Sequence, residues 1–189
     1  MTSRGLVLAS SSPRRADLLR QVGLEFQVRA TQLTEERKAG ERVKSYVRRM
    51  AKEKAESVLL PNHITLGADT AVSLGRRIFG KPESLEDGSR MLMALSGRWH
   101  KVVTGIAISD GDHTESLVVT SKVCFRNITA DEAHEYWATG EPKDKCGGYA
   151  IQGRGAVFVE RLVGSYSAVV GLPLNETEIM LKKFGVKFW

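Results

Sequence analysis

Residues able to grip a phosphate stand together near the start of the chain, in the segment Ser10-Ser-Ser-Pro-Arg-Arg15. An apolar run at residues 6–9 predicts a buried strand before it, and Pro13 suits the first turn of a helix, with Ser12 as its N-cap. Backbone N–H groups, the helix dipole, hydroxyls and the guanidinium groups of Arg14 and Arg15 would then meet at one point. Because arginine in a first turn opposes the dipole, the pair indicates an anionic ligand more than a solvated strand–helix junction.

A carboxylate follows the next apolar strand pattern. Asp69 comes after residues 64–66 and lies between Gly67-Ala68 and Thr70. Small neighbours allow a ligand to approach the backbone, and a carboxylate at a strand end can activate water or hold a metal ion. An aspartate beside a glycine is also typical of an ordinary turn. The local pattern leaves both interpretations open.

Two lysines and one glutamine have side chains suited to a nucleotide. Lys81 lies on a tight turn in Gly80-Lys-Pro82, and Lys54 lies in a helical pattern. Taken alone, both are typical of solvated surface lysines. Gln152 offers a donor and an acceptor, which suit a base edge with a carbonyl and an imide N–H. It is equally typical of a polar loop.

Six ordered motifs give the chain a resemblance to a known family. They open with Leu8-Ala-Ser-Ser-Ser-Pro-Arg-Arg15 followed by Leu18-Leu-x-x-x-Gly23, and the other five are Gly67-Ala-Asp-Thr70, Gly80-Lys-Pro82, Leu95-Ser-Gly-Arg-Trp-His-Lys-Val-Val-Thr-Gly105, Asp144-Lys-Cys-Gly-Gly-Tyr-Ala-Ile-Gln-Gly153 and Gly164-Ser-Tyr-Ser-Ala-Val-Val-Gly-Leu-Pro-Leu174. Together they resemble the Maf family of nucleoside triphosphate pyrophosphatases over nearly the whole chain. The last two motifs resemble the branch that acts on dTTP and UTP.

The resemblance implies hydrolysis between the α and β phosphates, to a monophosphate and pyrophosphate. It implies that Asp69 is the general base for the attacking water and that a divalent cation, Mg²⁺ or Mn²⁺, is the cofactor. The implied metal ligands are Asp69 and Glu36, although the choice between Glu35 and Glu36 stays open. The residues implied to contact the substrate are Ser10, Ser12, Arg14, Arg15, Lys54, Thr70, Lys81 and Gln152. Cys146 stands where the family more often has alanine, and we expect little change from it.

The base preference follows from the same resemblance. Arg14, Thr70 and Gln152 fall at positions that track the base in the family, and this trio resembles the dTTP/UTP branch. The implied role is cleansing of the nucleotide pool, with modified pyrimidine triphosphates as further candidate substrates. Two alternatives remain: a 7-methyl-GTP pyrophosphatase, or a non-enzymatic regulator of cell division that binds nucleic acid or a protein.

Composition limits the class of protein. The 189 residues are 42% hydrophobic and 26% charged, which predicts one globular domain over residues 1–189, or two lobes around one cleft. The net charge of +6 suits a small anionic ligand such as a nucleoside triphosphate, but the basic residues are dispersed and argue against nucleic acid. We expect no membrane association and a cytoplasmic protein, because the chain shows neither a signal pattern nor an apolar run of spanning length.

The resemblance also implies a homodimer, for which Val118-Val119 and Phe188-Trp189 are candidate apolar contacts. Hydrophobic periodicity predicts an α/β fold with a single mixed, strongly twisted sheet flanked by helices and a ligand cleft at the strand ends. The expected strands cover residues 6–9, 26–30, 64–74, 77–79, 99–109, 115–126 and 156–162. The first expected helix begins at Pro13, and the others cover residues 45–60, 85–95, 130–139 and 176–184, with Ser84, Thr129 and Asn175 as the last three N-caps.

Overall fold

The computed structural model describes residues 4–188, which contain seven β-strands and six α-helices. The strands are β1 (Gly5–Ala9), β2 (Gln27–Val28), β3 (His63–Leu74), β4 (Arg77–Phe79), β5 (Trp99–Ser109), β6 (Thr114–Phe125) and β7 (Val159–Val163). The helices are α1 (Pro13–Gln21), α2 (Val43–Ser57), α3 (Leu85–Leu95), α4 (Ala130–Ala138), α5 (Tyr166–Val170) and α6 (Leu174–Lys183). Among these residues, no helix combines the length and apolar character needed to cross a membrane.

All seven strands belong to one mixed sheet in the order β2-β1-β3-β5-β6-β7, with β4 paired to β3. β1 runs parallel to β2 and to β3, where Ala9 is opposite Gly67. The pairs β3–β4 and β6–β7 are antiparallel. The predicted α/β class with a single mixed sheet and accompanying helices is therefore confirmed.

Some element boundaries agree with the periodicity and others do not: β2 covers only Gln27–Val28 of the predicted 26–30, and α2 covers Val43–Ser57 rather than 45–60. Ser84 caps α3 by accepting from Asp87 N at 3.2 Å, and Thr129 forms the predicted capping box. The strand predicted from residue 156 begins only at Val159, because residues 154–158 form a 3₁₀ helix. The last helix begins at Leu174 with Pro173 in the N-cap position, so the prediction that Asn175 caps it was wrong. Proline already has the extended backbone that an N-cap requires.

The chain divides into two compact units. The first takes in the described residues up to Asp69, Thr104–Val119 and the stretch from Gly171 onward. Fully buried apolar side chains from its strands and helices form its interior: Leu8, Leu19, Met50, Ile64, Leu66, Ile106, Ile108 and Leu172. Burial of such side chains is the main stabilising term for this unit.

The second unit comprises Thr70–Val103 and Thr120–Val170. Its core contains Phe79, Leu92, Leu95, Val102, Phe125, Tyr136, Tyr149 and Phe158. The ring of Phe125 meets that of Tyr149 edge to face, and Tyr136 meets Phe158 in the same way. Two tyrosines thus have their rings in an apolar interior, which leaves each hydroxyl in need of a polar partner.

Glycine allows α2 to approach the sheet closely within the first unit. A Cβ added at Gly67 would overlap Ala51 O and the backbone of Ala55, and one added at Gly105 would overlap Val47 O. Ala51 and Ala55 also pack with Ala107 as fully buried residues. Because these contacts place α2 directly on β3 and β5, a long side chain from α2 can reach the end of the parallel part of β3.

Candidate functional site

The turn after β1 is organised around a buried serine. Ser10 Oγ accepts from Arg15 Nη1 at 2.8 Å and from Ser12 N at 3.3 Å. Arg15 Nε donates to Gly171 O at 2.9 Å. Both Ser10 and Arg15 are buried, so these contacts tie the turn to the first turn of α1 and to the segment that precedes α6.

The two arginines of this turn have different surroundings. Arg15 is held inside the first unit, whereas Arg14 is half-buried on the first turn of α1. Ser12 occupies the N-cap position, but within the described residues its side chain caps no helical N–H, contrary to expectation. Ser10 Oγ instead accepts the turn's N–H, and Pro13 brings no N–H to cap. Arg14 is therefore the better placed of the two arginines to meet an anion at this helix end.

Lys54 joins two carboxylates that are distant in sequence. Its Nζ lies 2.7 Å from Asp69 Oδ1 and 2.6 Å from Glu35 Oε1. Lys54 reaches this point from α2, Asp69 from β3, and Glu35 from the loop between β2 and α2. The parallel pairing of β1 with β3 brings Asp69 to the same end of the sheet as the Ser10 turn. This is the edge at which parallel sheets commonly bind ligands.

The electrostatics of Asp69 follow from its burial. Desolvation raises the pKa of Asp69 above its ordinary value, while the charges of Lys54 and Arg15 act in the opposite direction and Glu35 adds to the rise. Such opposing effects are typical of a carboxylate tuned for proton transfer.

A stabilising role alone does not account for the pair. Lys54 is 4% exposed and Asp69 5% exposed, so both charges have been taken out of water. The desolvation of two such ions offsets most of the attraction between them, and an apolar pair of similar size would stabilise a core equally well. The pair is therefore a candidate for a chemical role.

The donor set fits a hard divalent cation. Two carboxylates within hydrogen-bond distance of one ammonium lie close enough to share one cation, and Mg²⁺ is commonly held by one or two carboxylates together with phosphate oxygens. Across residues 4–188, no group of three or more His, Cys, Asp or Glu side chains could hold a metal. The carboxylate that reaches the Asp69 pair is that of Glu35. For Glu36, the structure gives a main-chain contact, Arg49 Nη2 to Glu36 O at 2.9 Å.

The loop between β2 and α2, which carries Glu35, is held by a second set of charges in the first unit. Arg49 donates to both oxygens of Glu41 at 2.8 Å as well as to Glu36 O. The Arg49 hydrogen bonds lower the pKa of Glu41 to about 2. Tyr46 Oη also donates to Glu35 O at 3.2 Å. Two side chains of α2 therefore fix the loop that carries Glu35 to Lys54.

In the second unit, the loop that leads to Gln152 contacts the backbone at or next to two other predicted residues. Cys146 Sγ lies 3.2 Å from Thr70 O, and Gly147 N donates to Gly80 O at 2.9 Å. The loop thus contacts the backbone of Thr70 and of the residue before Lys81. It continues to Gln152, which is exposed, as is Lys81. Cys146 therefore has a contact that an alanine would lack.

The residues of the tryptophan–histidine motif serve packing. His100 is buried against Phe125 and Tyr149, and its Nε2 lies 2.8 Å from Tyr149 Oη. Burial lowers the pKa of His100 to about 4, so it is neutral at physiological pH. Trp99 is 44% exposed on the outer side of the same strand.

Comparisons with known proteins agree with the sequence motifs. The family model described as "Maf-like protein" matches residues 5–184. A protein of Pseudoalteromonas atlantica named dTTP/UTP pyrophosphatase is 46% identical over 187 residues, covering 96% of this chain and 97% of the relative. Proteins of the same name from Hahella chejuensis and Vibrio parahaemolyticus are 44% and 45% identical, covering 98% and 96% of this chain and 95% and 98% of the relatives.

Among solved structures, the Staphylococcus aureus Ham1 protein superimposes with a TM-score of 0.44 and 14% identity. The match covers 64% of this chain and 71% of that protein. A similarity at this level carries no argument about the site.

Proposed function

The chain belongs to the Maf family, and from this premise we propose that it hydrolyses dTTP and UTP to the monophosphate and pyrophosphate. Relatives similar over nearly their full length carry the name dTTP/UTP pyrophosphatase, which supports this substrate class. The structural observation that carries the proposal is the buried Lys54–Asp69 pair, joined by Glu35. It supplies a base, a cation and a second acidic ligand at one end of a parallel strand pair.

Asp69 acts as the general base in this proposal. A carboxylate whose pKa is raised by burial takes a proton more readily than an exposed one, while the charges of Lys54 and Arg15 favour the ionised form of Asp69 that a base requires. It removes a proton from the water that attacks the α phosphorus. Lys54 and Arg14 stabilise the charge on the phosphates, and Lys81 adds a further cation. Arg15, through Ser10 and Gly171, orients the turn that presents Arg14.

A divalent cation, Mg²⁺ or Mn²⁺, is the proposed cofactor. Asp69 would hold it together with Glu35, the member of the Glu35–Glu36 pair that shares Lys54 with Asp69. When bound, such an ion neutralises phosphate charge and acidifies a bound water.

Gln152 is the proposed base-recognition residue. Gln152 presents an amide oxygen and an NH₂ group, which match the N3–H and a carbonyl of thymine or uracil. Cytosine has an acceptor at N3 where uracil and thymine have N3–H, so it pairs with Gln152 only if the amide turns over. A polar group that the bound base covers and leaves without a partner costs roughly 1–3 kcal/mol, which corresponds to about ten- to a hundredfold discrimination. The backbone of Thr70 contacts Cys146, in the loop that leads to Gln152.

The products and a substrate panel test the proposal. Purified protein with Mg²⁺ is expected to convert dTTP and UTP to monophosphate and pyrophosphate in equal amounts, measured by ion-exchange chromatography. CTP and 7-methyl-GTP are expected to react at least about tenfold more slowly. Release of orthophosphate without pyrophosphate would contradict the reaction, and preference for 7-methyl-GTP would contradict the base assignment.

We further propose a cytoplasmic homodimer, on the strength of the family resemblance. Val118 and Val119 are half-buried in β6 and remain candidate contacts, whereas Trp189 lies outside the described residues. Multi-angle light scattering at micromolar concentration is expected to give about twice the chain mass of 20.8 kDa. A monomer mass would contradict the dimer.

A further inference from the structure

The segment from Tyr149 to Gly155, termed the Gln152 loop here, is fixed on both sides of its central glutamine. Ala150 N, on the near side, donates to Tyr136 Oη at 3.1 Å. On the far side, Arg154 N donates to Glu141 Oε2 at 2.9 Å and Gly155 N to Glu141 Oε1 at 3.0 Å. Three backbone N–H groups of the loop therefore donate hydrogen bonds to two side chains outside it.

The side chains of Tyr136 and Glu141 are also hydrogen-bonded to each other. Tyr136 Oη donates to Glu141 Oε1 at 2.5 Å, the short distance expected for a hydroxyl bound to an ionised carboxylate. The pKa of Tyr136 is raised, first by burial and then by this carboxylate, so the hydroxyl keeps its proton. Burial opposes ionisation of Glu141, but its hydrogen bonds from Tyr136, Gly155 and Arg154 prevail and lower its pKa. At neutral pH the carboxylate of Glu141 therefore accepts from all three donors.

The sequence of the loop leaves room for this arrangement. A Cβ added at Gly153 would overlap the carboxylate of Glu141, and one added at Gly155 would come within 2.6 Å of Tyr136 Oη. The loop thus needs glycine at both positions in order to lie against the tyrosine–glutamate pair. This requirement explains the Gly-Arg-Gly sequence that follows Gln152.

The pair is itself anchored in the core of the second unit. The ring of Tyr136 packs edge to face on Phe158 with ring centres 5.2 Å apart. The first residue of the loop, Tyr149, packs on Phe125 and shares a hydrogen bond with His100. The support for the loop is thus a close-packed aromatic cluster, which has few alternative arrangements.

We infer that Glu141 and Tyr136 are positioning residues for base recognition: they clamp the Gln152 loop and thereby set the discrimination between uracil or thymine and cytosine. The inference rests on the proposed function, in which Gln152 reads the base. Hydrogen-bond readout requires placement within about 0.5 Å, and an exposed glutamine has no rigidity of its own. The clamp supplies that rigidity through three backbone contacts rather than through the glutamine side chain.

The first test compares UTP with CTP. Glu141→Gln replaces one carboxylate oxygen by an NH₂ group, which faces a backbone N–H and cannot accept from it. We expect the UTP-to-CTP ratio of kcat/KM to fall about tenfold, with most of the change in KM for UTP and kcat within about threefold of wild type. The matched control is Glu135→Gln, a change at an exposed residue of α4. An unchanged ratio in a folded Glu141→Gln protein would overturn the inference.

The second test reads the clamp without turnover. Amide hydrogen exchange of the peptide covering Ala150 to Gly155 is expected to quicken at least about tenfold in Glu141→Gln and in Tyr136→Phe. Because the two side chains act as a unit, the double variant should exchange about as fast as the faster single variant. Unchanged exchange would show that the clamp does not hold the loop. If exchange quickens while the UTP-to-CTP ratio of kcat/KM stays unchanged, the clamp is a structural contact only and the inference is wrong.

The two tests separate failure of the inference from failure of the proposed function. If the wild-type protein hydrolyses neither nucleotide, the proposed function fails, and the dissociation constants for UTP and CTP then replace the rates. A wild-type preference for UTP that survives Glu141→Gln contradicts the inference alone. Equal wild-type affinity for UTP and CTP contradicts both.

Discussion

Lys54 Nζ and Asp69 Oδ1 lie 2.7 Å apart with both side chains almost wholly buried. The contact depends on the close approach of α2 to β3 at Gly67, where a side chain would overlap the helix backbone. Gly67 has no functional side chain, but the ion pair depends on it because it lets α2 pack closely on β3. The predictions below test the pair, its acidic partner and the packing that creates it.

Asp69→Asn is expected to lower kcat for dTTP by about 10²–10⁴, the usual contribution of a general base. The amide keeps the size of the carboxylate and an oxygen for Lys54, so the fold should persist by circular dichroism. Asp112→Asn, in the exposed turn between β5 and β6, is the control and should leave kcat unchanged. Activity near wild type in a folded Asp69→Asn protein would move the base elsewhere.

Lys54→Met is expected to shift the acid limb of the pH–rate profile to higher pH. The ammonium favours the charged form of Asp69, whose pKa burial already raises, so its removal lets the pKa rise further. Activity then falls at a higher pH as the solution is acidified. The profile of kcat/KM measures the shift, with Lys44→Met on the exposed side of α2 as the control. A limb that stays in place would mean that Asp69 is not the titrating group.

Glu35→Gln is expected to raise the Mg²⁺ concentration needed for half-maximal activity by about tenfold or more, whereas Glu36→Gln should change it little. The reason is that Glu35 shares Lys54 with Asp69. A chelator is expected to abolish the activity of the wild-type protein, and added Mg²⁺ or Mn²⁺ to restore it. If Glu36→Gln raises the required Mg²⁺ concentration more than Glu35→Gln does, the metal ligand is Glu36. Full activity in the presence of the chelator would refute the metal cofactor.

Glu41→Gln is expected to destabilise the protein at neutral pH but not near pH 2. The Arg49 hydrogen bonds lower the pKa of Glu41 from 4.5 to about 2 in the folded protein. Its contribution is therefore complete above pH 4.5 and disappears as the pH falls toward 2. With allowance for partial exposure, we expect a loss of about 1 kcal/mol in the free energy of unfolding at pH 7. Urea titrations at several pH values measure it against the exposed control Glu25→Gln; an equal loss at all pH values would contradict the linkage.

Gly67→Ala is expected to destabilise the first unit by about 1–3 kcal/mol, because the added methyl group forces α2 away from β3. The matched control is Gly80→Ala, where an added Cβ meets open space. Thermal unfolding compares the two. A Gly67→Ala protein as stable as the control would show that the helix can shift without cost.

Much of the architecture was already present in local sequence patterns. The alternation of residues 99–109 and the serine before residue 85 predicted β5 and α3 with their observed bounds. The 3₁₀ helix at residues 154–158 was missed, because its conformation depends on Gly155 lying against Tyr136 rather than on local hydrophobic period. Element type follows from interactions within a few residues, and such interactions are visible in a linear pattern.

The sequence by itself determined the family, the substrate class and the set of candidate residues, because these depend on motif identity. Tertiary structure decided which candidates meet. It buried Arg15 against Ser10, brought Glu35 rather than Glu36 to Lys54, and placed Glu141 under the Gln152 loop. Each of these contacts joins different elements, and their geometry depends on how closely helix, sheet and loop pack. That closeness is set by small residues and core volume across the fold, which no local spacing encodes.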